Sequence, residues 1–241
     1  LRFVDGQLWL NERFKEPQII HVIDRFIDIY EIAELQHAGM GAILDAYLAG
    51  AITDVNTVKQ CLDEKDWMSL FWDKKLEASW HRELGVEKFN ALQTWIPKTW
   101  IIAKDLMVVL NNGEEVNILD IGQIEPDRRK FVIKESGTST TASGSQSFYP
   151  LSTMDQEEIQ DVLDGIIESG VEYILQELVE SARLPYHALN PDDDVVKYYP
   201  SARFKISPFY VDGSLSDIRF VASTTKYAVN DDENCVVSVV Q

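Results

Sequence analysis

Apolar positions along this chain switch between a period near two and a period near 3.6, and the switches mark its elements. The β-branched run Ile19-Ile20-His21-Val22-Ile23 predicts a buried strand after short strands and turns around Asp5-Gly6. Leu35, Ile43, Leu44, Tyr47 and Leu48 recur at helical spacing and predict a helix over 32–49, with Gly50 as its stop. Asn56 or Thr57 caps a second helical stretch. A third helix is expected over 63–80, with Trp67, Leu70 and Phe71 on one face, and a short one over 83–94. From Ile96 the pattern turns to strands, with a hairpin turn at Asn111-Asn112-Gly113 and a strand over 130–134. Residues 135–147 contain no large apolar side chain, so they predict a loop that does not bury itself. Ser152 or Thr153 caps the next helix, whose Ile159, Val162, Leu163, Ile166 and Ile167 form one stripe ended by Gly170. A strand over 173–179, a polar excursion over 185–201, strands over 204–211 and 218–222 around Asp212-Gly213-Ser214, and a last strand over 235–240 complete the reading. The sequence carries no internal repeat.

Composition narrows the function classes. The chain has 241 residues, 45% hydrophobic and 26% charged, enough for one large or two small domains with real cores. Lys plus Arg number 22 against 40 for Asp plus Glu, a net charge of −18 that opposes binding to a phosphate backbone, so no nucleic-acid partner is expected. No apolar run approaches the ~20 residues of a membrane helix, so no membrane partner is expected either. Cys61 and Cys235 read as two buried small side chains, which makes a reducing, cytoplasmic setting the expectation. The start at Leu1, with no Met and no signal stretch, is expected to fall inside a longer polypeptide.

The candidate chemistry lies where a strand delivers Lys134 into the run Glu135 to Ser147, rich in Ser, Thr and Gly. Backbone N–H groups and hydroxyls of such a loop lie readily against a polyphosphate, with the lysine as a point charge on the same oxygens. The lysine precedes the glycines, so this is not the GxxxxGK[ST] loop, and a solvated linker open to phosphorylation is the competing reading. Downstream, Gln176 and Glu177 put a polar pair inside an apolar strand, which is costly unless both find partners; a nucleotide base is one such partner. The four histidines show no metal spacing, no G-x-S-x-G elbow is present, and the six tryptophans read as core where helices meet the first sheet.

In this order of parts the chain resembles the ATP-grasp superfamily, and more closely its circularly permuted branch, which includes glutathionylspermidine synthase-like proteins. Asp24-Arg25-Phe26-Ile27-Asp28, Leu44-Asp45-Ala46-Tyr47-Leu48-Ala49-Gly50, Asp63-Glu64-Lys65 and Ile96-Pro97-Lys98-Thr99-Trp100 follow that branch in order and approximate spacing over most of residues 19–223. The resemblance implies an α+β fold of two subdomains around a nucleotide cleft, with 1–101 a mixed portion and 102–241 the nucleotide-binding portion. It implies ATP phosphate contacts from Lys65 and Lys134 and a flexible lid over 136–145, including Ser136, Gly137, Thr138, Ser143 and Gly144. It implies an adenine hinge at Gln176, Glu177, Leu178 and Val179, with Glu180 toward the ribose, and phosphate-neutralising cations at Arg183 and Arg203, of which Arg203 and Lys134 would be catalytic. The implied reaction joins a small carboxylate to an amine or thiol through an acyl phosphate, with Mg²⁺. The family's metal motif is expected upstream of the strand at Ile19, so no metal ligand is assigned; Asp231-Asp232-Glu233-Asn234 and Asp192-Asp193-Asp194 read as solvated turns. A nucleotide-binding or interaction protein without catalysis is the alternative. The oligomeric state is not legible.

Overall fold

The chain was described from a computed structural model, which covers residues 1–11, 15–23, 38–54, 64–137, 142, 146–190, 195–211, 214–224 and 235–240. Expectations at Asp24 to Asp28, 32–37, Asn56, Thr57, Cys61, Thr138, Ser143, Gly144, Asp192 to Asp194 and Asp231 to Asn234 lie outside the described residues.

Arg2–Val4 (β1), Gln7–Leu10 (β2) and Gln18–Ile20 (β3) form an antiparallel meander that turns at Asp5-Gly6. Val22–Ile23 (β4) pairs in parallel with Thr53–Asp54 (β5), and the helix Ala38–Leu48 (α1) packs against β1 and β2. Leu8, Ala46 and Ile52 are the buried centre of this cluster. The single helix expected over 63–80 is instead two, Trp67–Leu70 (α2) and Glu77–Leu84 (α3), followed by Val86–Trp95 (α4) after a break at Gly85. Phe71 between them stacks on Trp80 at 4.5 Å and meets Trp67 edge-on at 6.0 Å, so the aromatic stripe folds back on itself rather than running along one helix.

Thr99–Ile101 (β6), Met107–Val109 (β7), Glu115–Asn117 (β8), Phe131–Glu135 (β9), Phe148–Pro150 (β10), the helix Gln156–Ser169 (α5) and Tyr173–Glu177 (β11) build the centre. β10-β9-β11-β6 is a four-stranded antiparallel sheet, and β7-β8 is the expected hairpin. Because β6 is the edge of this sheet, the sheet draws on both sides of the boundary expected at 101. Ile159, Leu163 and Ile166 of α5 face Phe131, Ile133 and Leu175, and burying each such side chain is worth ~1.5–3 kcal/mol. The cap is Asp155 rather than Ser152 or Thr153: its carboxylate accepts from the Glu158 N–H and Glu158 reciprocates to the Asp155 N–H, a complete capping box. Leu151–Thr153 forms a 3-10 turn just before it. At the far end Gly170 takes φ 67°, the left-handed conformation of a helix stop.

Arg129, only 4% exposed, holds this unit together. Its guanidinium donates to the carbonyls of Gly122, Ile124, Leu151 and Met154, tying two segments to the root of β9.

Arg183–Asn190 (β12), Val195–Val211 (β13), Ser214–Ser223 (β14) and Cys235–Val240 (β15) make a second four-stranded antiparallel sheet. The polar excursion expected over 185–201 is thus the β12-β13 hairpin. Its ladder pairs Leu184 with Ala202 and Tyr186 with Tyr199, leaving Pro185 opposite Pro200 and Ser201 in a bulge where proline need not donate an N–H. The architecture is α+β with several small antiparallel sheets, and among the described residues no helix is long and apolar enough to cross a membrane.

Candidate functional site

Side chains alternate across β9, so Val132 and Lys134 point to one face of the central sheet and Phe131, Ile133 and Glu135 to the other. The register carries Lys134 opposite Ile174 and Phe148, and Gln176 opposite Val132 and Thr99, all on the face away from α5. This face is buried as well: Val132, Ile174, Thr99 and Gln176 are each covered, with α2 lying against β6.

Gln176 finds its partners within the protein. Its Nε2 donates to Thr99 Oγ1 at 2.9 Å and contacts Met68 Sδ at 3.2 Å, which fixes the amide so that Oε1 accepts from Lys134 Nζ at 2.8 Å. The polar residue in the apolar strand is therefore satisfied by Lys134 and Thr99 rather than by a base edge, and it aims the lysine. Lys134 also lies 5.8 Å from the Phe148 ring centroid. Burial, and then the charge of Lys65, lower its pKa from 10.5 to about 8.

Lys65 reaches this place from the segment before α2. Its Nζ donates to the carbonyls of Glu135, at the start of the small-residue loop, and Ala142, within it. The backbone N–H groups of Lys65 and Asp66 both donate to the Ser136 hydroxyl, at 3.1 and 3.0 Å. The Ser147 hydroxyl accepts from the Glu135 N–H at 3.2 Å, and Ser136, Ala142 and Ser147 are all buried. This corrects the expectation that nothing in 135–147 buries itself and that Ser136 belongs to a flexible lid. Hydroxyls and a methyl group are small enough to be buried once their polar atoms are bonded. Gly137 follows at φ 115°, a conformation that side chains other than glycine rarely adopt, and turns the chain away from the strand. Glu172, whose carbonyl accepts from the Ser136 N–H, has its carboxyl pushed up by desolvation and by the charges of Asp66 and Glu64.

At the hinge positions β11 ends at Glu177, so Leu178 and the exposed Val179 lie beyond the strand expected to include them. The Glu177 and Leu178 N–H groups donate to the carbonyls of Lys98 and Lys130, and neither is open to a base edge. Glu177 faces Lys98 at 3.6 Å and Glu180 faces Lys130 at 3.9 Å, both partly exposed pairs of small energetic weight. Arg183 and Arg203 are direct cross-strand partners on β12 and β13, in the other sheet from Lys134, with Arg183 Nη1 3.5 Å from Ser201 Oγ. Arg203 sits mid-strand in β13, not at a strand start.

Lys65, Lys134, Ser136 and Gln176 are thus one cluster, joined by Thr99 and Met68, which the sequence did not single out. Thr99 stood in the Ile96-Pro97-Lys98-Thr99-Trp100 segment without a role of its own, and Met68 carried no signal. Two ammonium groups at the mouth of a loop of small residues repel each other, and an oxyanion between them relieves the repulsion. Among the described residues no group of three or more His, Cys, Asp or Glu is disposed to hold a metal ion. No family model matches the chain, and no curated protein matches it.

Proposed function

We propose that the chain binds ATP at the Lys65–Lys134 cluster and serves as the nucleotide-binding part of an ATP-grasp-type ligase. The observation that carries this reading is the pairing of the two lysines. Lys65 bonds to two carbonyls of the small-residue loop, and Lys134 is aimed by Gln176 with its pKa lowered to about 8. Binding the γ- or β-phosphate there restores full protonation to Lys134 and cancels its repulsion with Lys65, so affinity is coupled to proton uptake. The donor set fits a polyphosphate; with the Glu177 and Leu178 N–H groups engaged, the adenine ring is held mainly by shape and by groups beyond β11. Magnesium fits as a companion of the phosphates, with no ligand from this chain assigned.

The reaction class is the joining of a small carboxylate to an amine or thiol, in which ATP supplies phosphoryl activation of the carboxylate. The chain's part is electrostatic: Lys65 and Lys134 stabilise charge on the transferring phosphoryl group, and Ser136 ties the segment that carries Lys65 to the end of β9. Titration calorimetry with Mg-ATP, on wild type and Lys134→Ala, tests the binding step. Saturable binding that weakens at least about tenfold in the variant supports it, and equal affinity sinks it. Phosphate release stimulated by a carboxylate and an amine together, and lost in Lys134→Ala, separates the ligase from a nucleotide-binding protein without catalysis.

A further inference from the structure

The other face of β9 carries a second, chemically opposite pocket. Glu135 follows Lys134 in the strand and therefore points toward α5, where it is only 4% exposed. Tyr173 lies directly opposite it on β11, and Tyr149 stands opposite Ile133 on β10, so two phenols and a carboxylate share one face across three adjacent strands. The Tyr173 hydroxyl lies 3.4 Å from Glu135 Oε2. Burial first, then the charge of Glu135, raises the Tyr173 pKa to about 12, so at neutral pH it remains a donor.

The three side chains line an open groove of ≈ 470 Å³ along one flank of α5, whose Asp161, Gly165 and Ser169 are exposed. That is within the ~300–1,000 Å³ typical of small-molecule sites. Gly165 forms part of its wall. This glycine sits in the interior of an amphipathic helix, where it costs ~1 kcal/mol relative to alanine, and a Cβ built on it would meet nothing within 4 Å. One turn earlier on the same line of the helix, Asp161 adds a second carboxylate to the rim, and Val171 supplies apolar wall. Among the described residues, no lysine, arginine or histidine lines the groove.

We propose that this groove binds a small organic ammonium ion, its charged head toward Glu135 and Asp161 and its apolar body between the Tyr149 and Tyr173 rings. Carboxylates supply charge-assisted acceptors, aromatic faces attract cations, and the apolar wall takes the hydrocarbon. The site is independent of the proposed ATP cluster, which lies on the opposite face of the sheet and is cationic.

The test uses benzylammonium as probe, followed on the whole chain by amide NMR. Saturable shifts at Glu135, Gly165 and Tyr173, with a Kd on the order of 1 mM, are expected. The neutral isostere benzyl alcohol binds at least about tenfold more weakly to the same wild-type protein, a comparison that needs no variant. Gly165→Leu fills the groove and abolishes the shifts while the melting temperature holds or rises, since leucine favours helix. The proposal is overturned by the absence of a saturable shift at these residues, by equal affinity for benzyl alcohol, or by undiminished binding in folded Gly165→Leu.

Discussion

Lys134 and Glu135 are adjacent in one strand, yet they head two faces of the central sheet that solve burial in different ways. The face toward α5 is closed by a continuous apolar stripe, with a polar group at either end, Glu135 and Glu177. The opposite face carries Thr99, Gln176 and Lys134 through its middle and is closed by hydrogen bonds among them. The first face gains stability from area and shape, the second orientation from bonded polar groups, at a cost in desolvation that the lowered Lys134 pKa registers. The comparison teaches where chemistry is held: the packed face is the support, and the hydrogen-bonded face aims a charge.

The largest blow to the supporting face is Arg129→Met. It leaves four carbonyls to find new donors, and an unfolding free energy lower by more than about 3 kcal/mol is expected in urea titration. An unchanged midpoint would mean that those carbonyls are solvated and that the packed face does not depend on them.

The opposite face is tested by pH. Lys134 loses its proton near pH 8 in the folded protein and near 10.5 when unfolded, so between these values the unfolded chain holds more protons. Stability of wild type relative to Lys134→Met therefore rises with pH from about 8 to 10.5, by roughly 3 kcal/mol, and is flat below that window. Denaturant midpoints measured on both proteins across this range decide it, and a falling difference would reverse the account.

Gln176→Leu separates aim from burial. The apolar side chain leaves Thr99 and Lys134 without the amide, and a loss of about 1–3 kcal/mol is expected together with a Lys134 pKa below that of wild type. Asp155→Ala removes one half of the capping box of α5 and should cost about 1 kcal/mol with no effect on the Lys134 titration. A shift in that titration would show the two faces to be coupled.

The elements around the cluster were legible because each is local. The β-branched core of β9, the single stripe of α5 and the apolar run of β11 read directly as a strand, a helix and a strand. The need of Gln176 for a partner was legible too, from its place in an apolar strand, but the partner's identity depends on the β11-β6 register, which no local pattern encodes. Lys65 reaches the loop from 70 residues away, through bonds to backbone carbonyls that sequence leaves silent. The β12-β13 hairpin was hidden by prolines. Pro185 and Pro200 argue against a strand until the bulge that accommodates both is known, although Tyr186, His187, Tyr198 and Tyr199 on either side of an Asn-Pro-Asp sequence carried a hairpin signal. The cap of α5 moved to Asp155 because the residues before it form a 3-10 turn, and the Asp-x-x-Glu spacing was already there to be read.

The central claim is that a buried, aimed Lys134 awaits a phosphate. The most direct measurement is the titration of its ε-ammonium group by NMR, in the free protein and with saturating Mg-ATP. The account predicts a pKa of about 8 without nucleotide and a clear rise when nucleotide is added, as the oxyanion offsets both burial and Lys65. A value near 10.5 in the free protein, or a lowered value that Mg-ATP leaves unmoved, would contradict it.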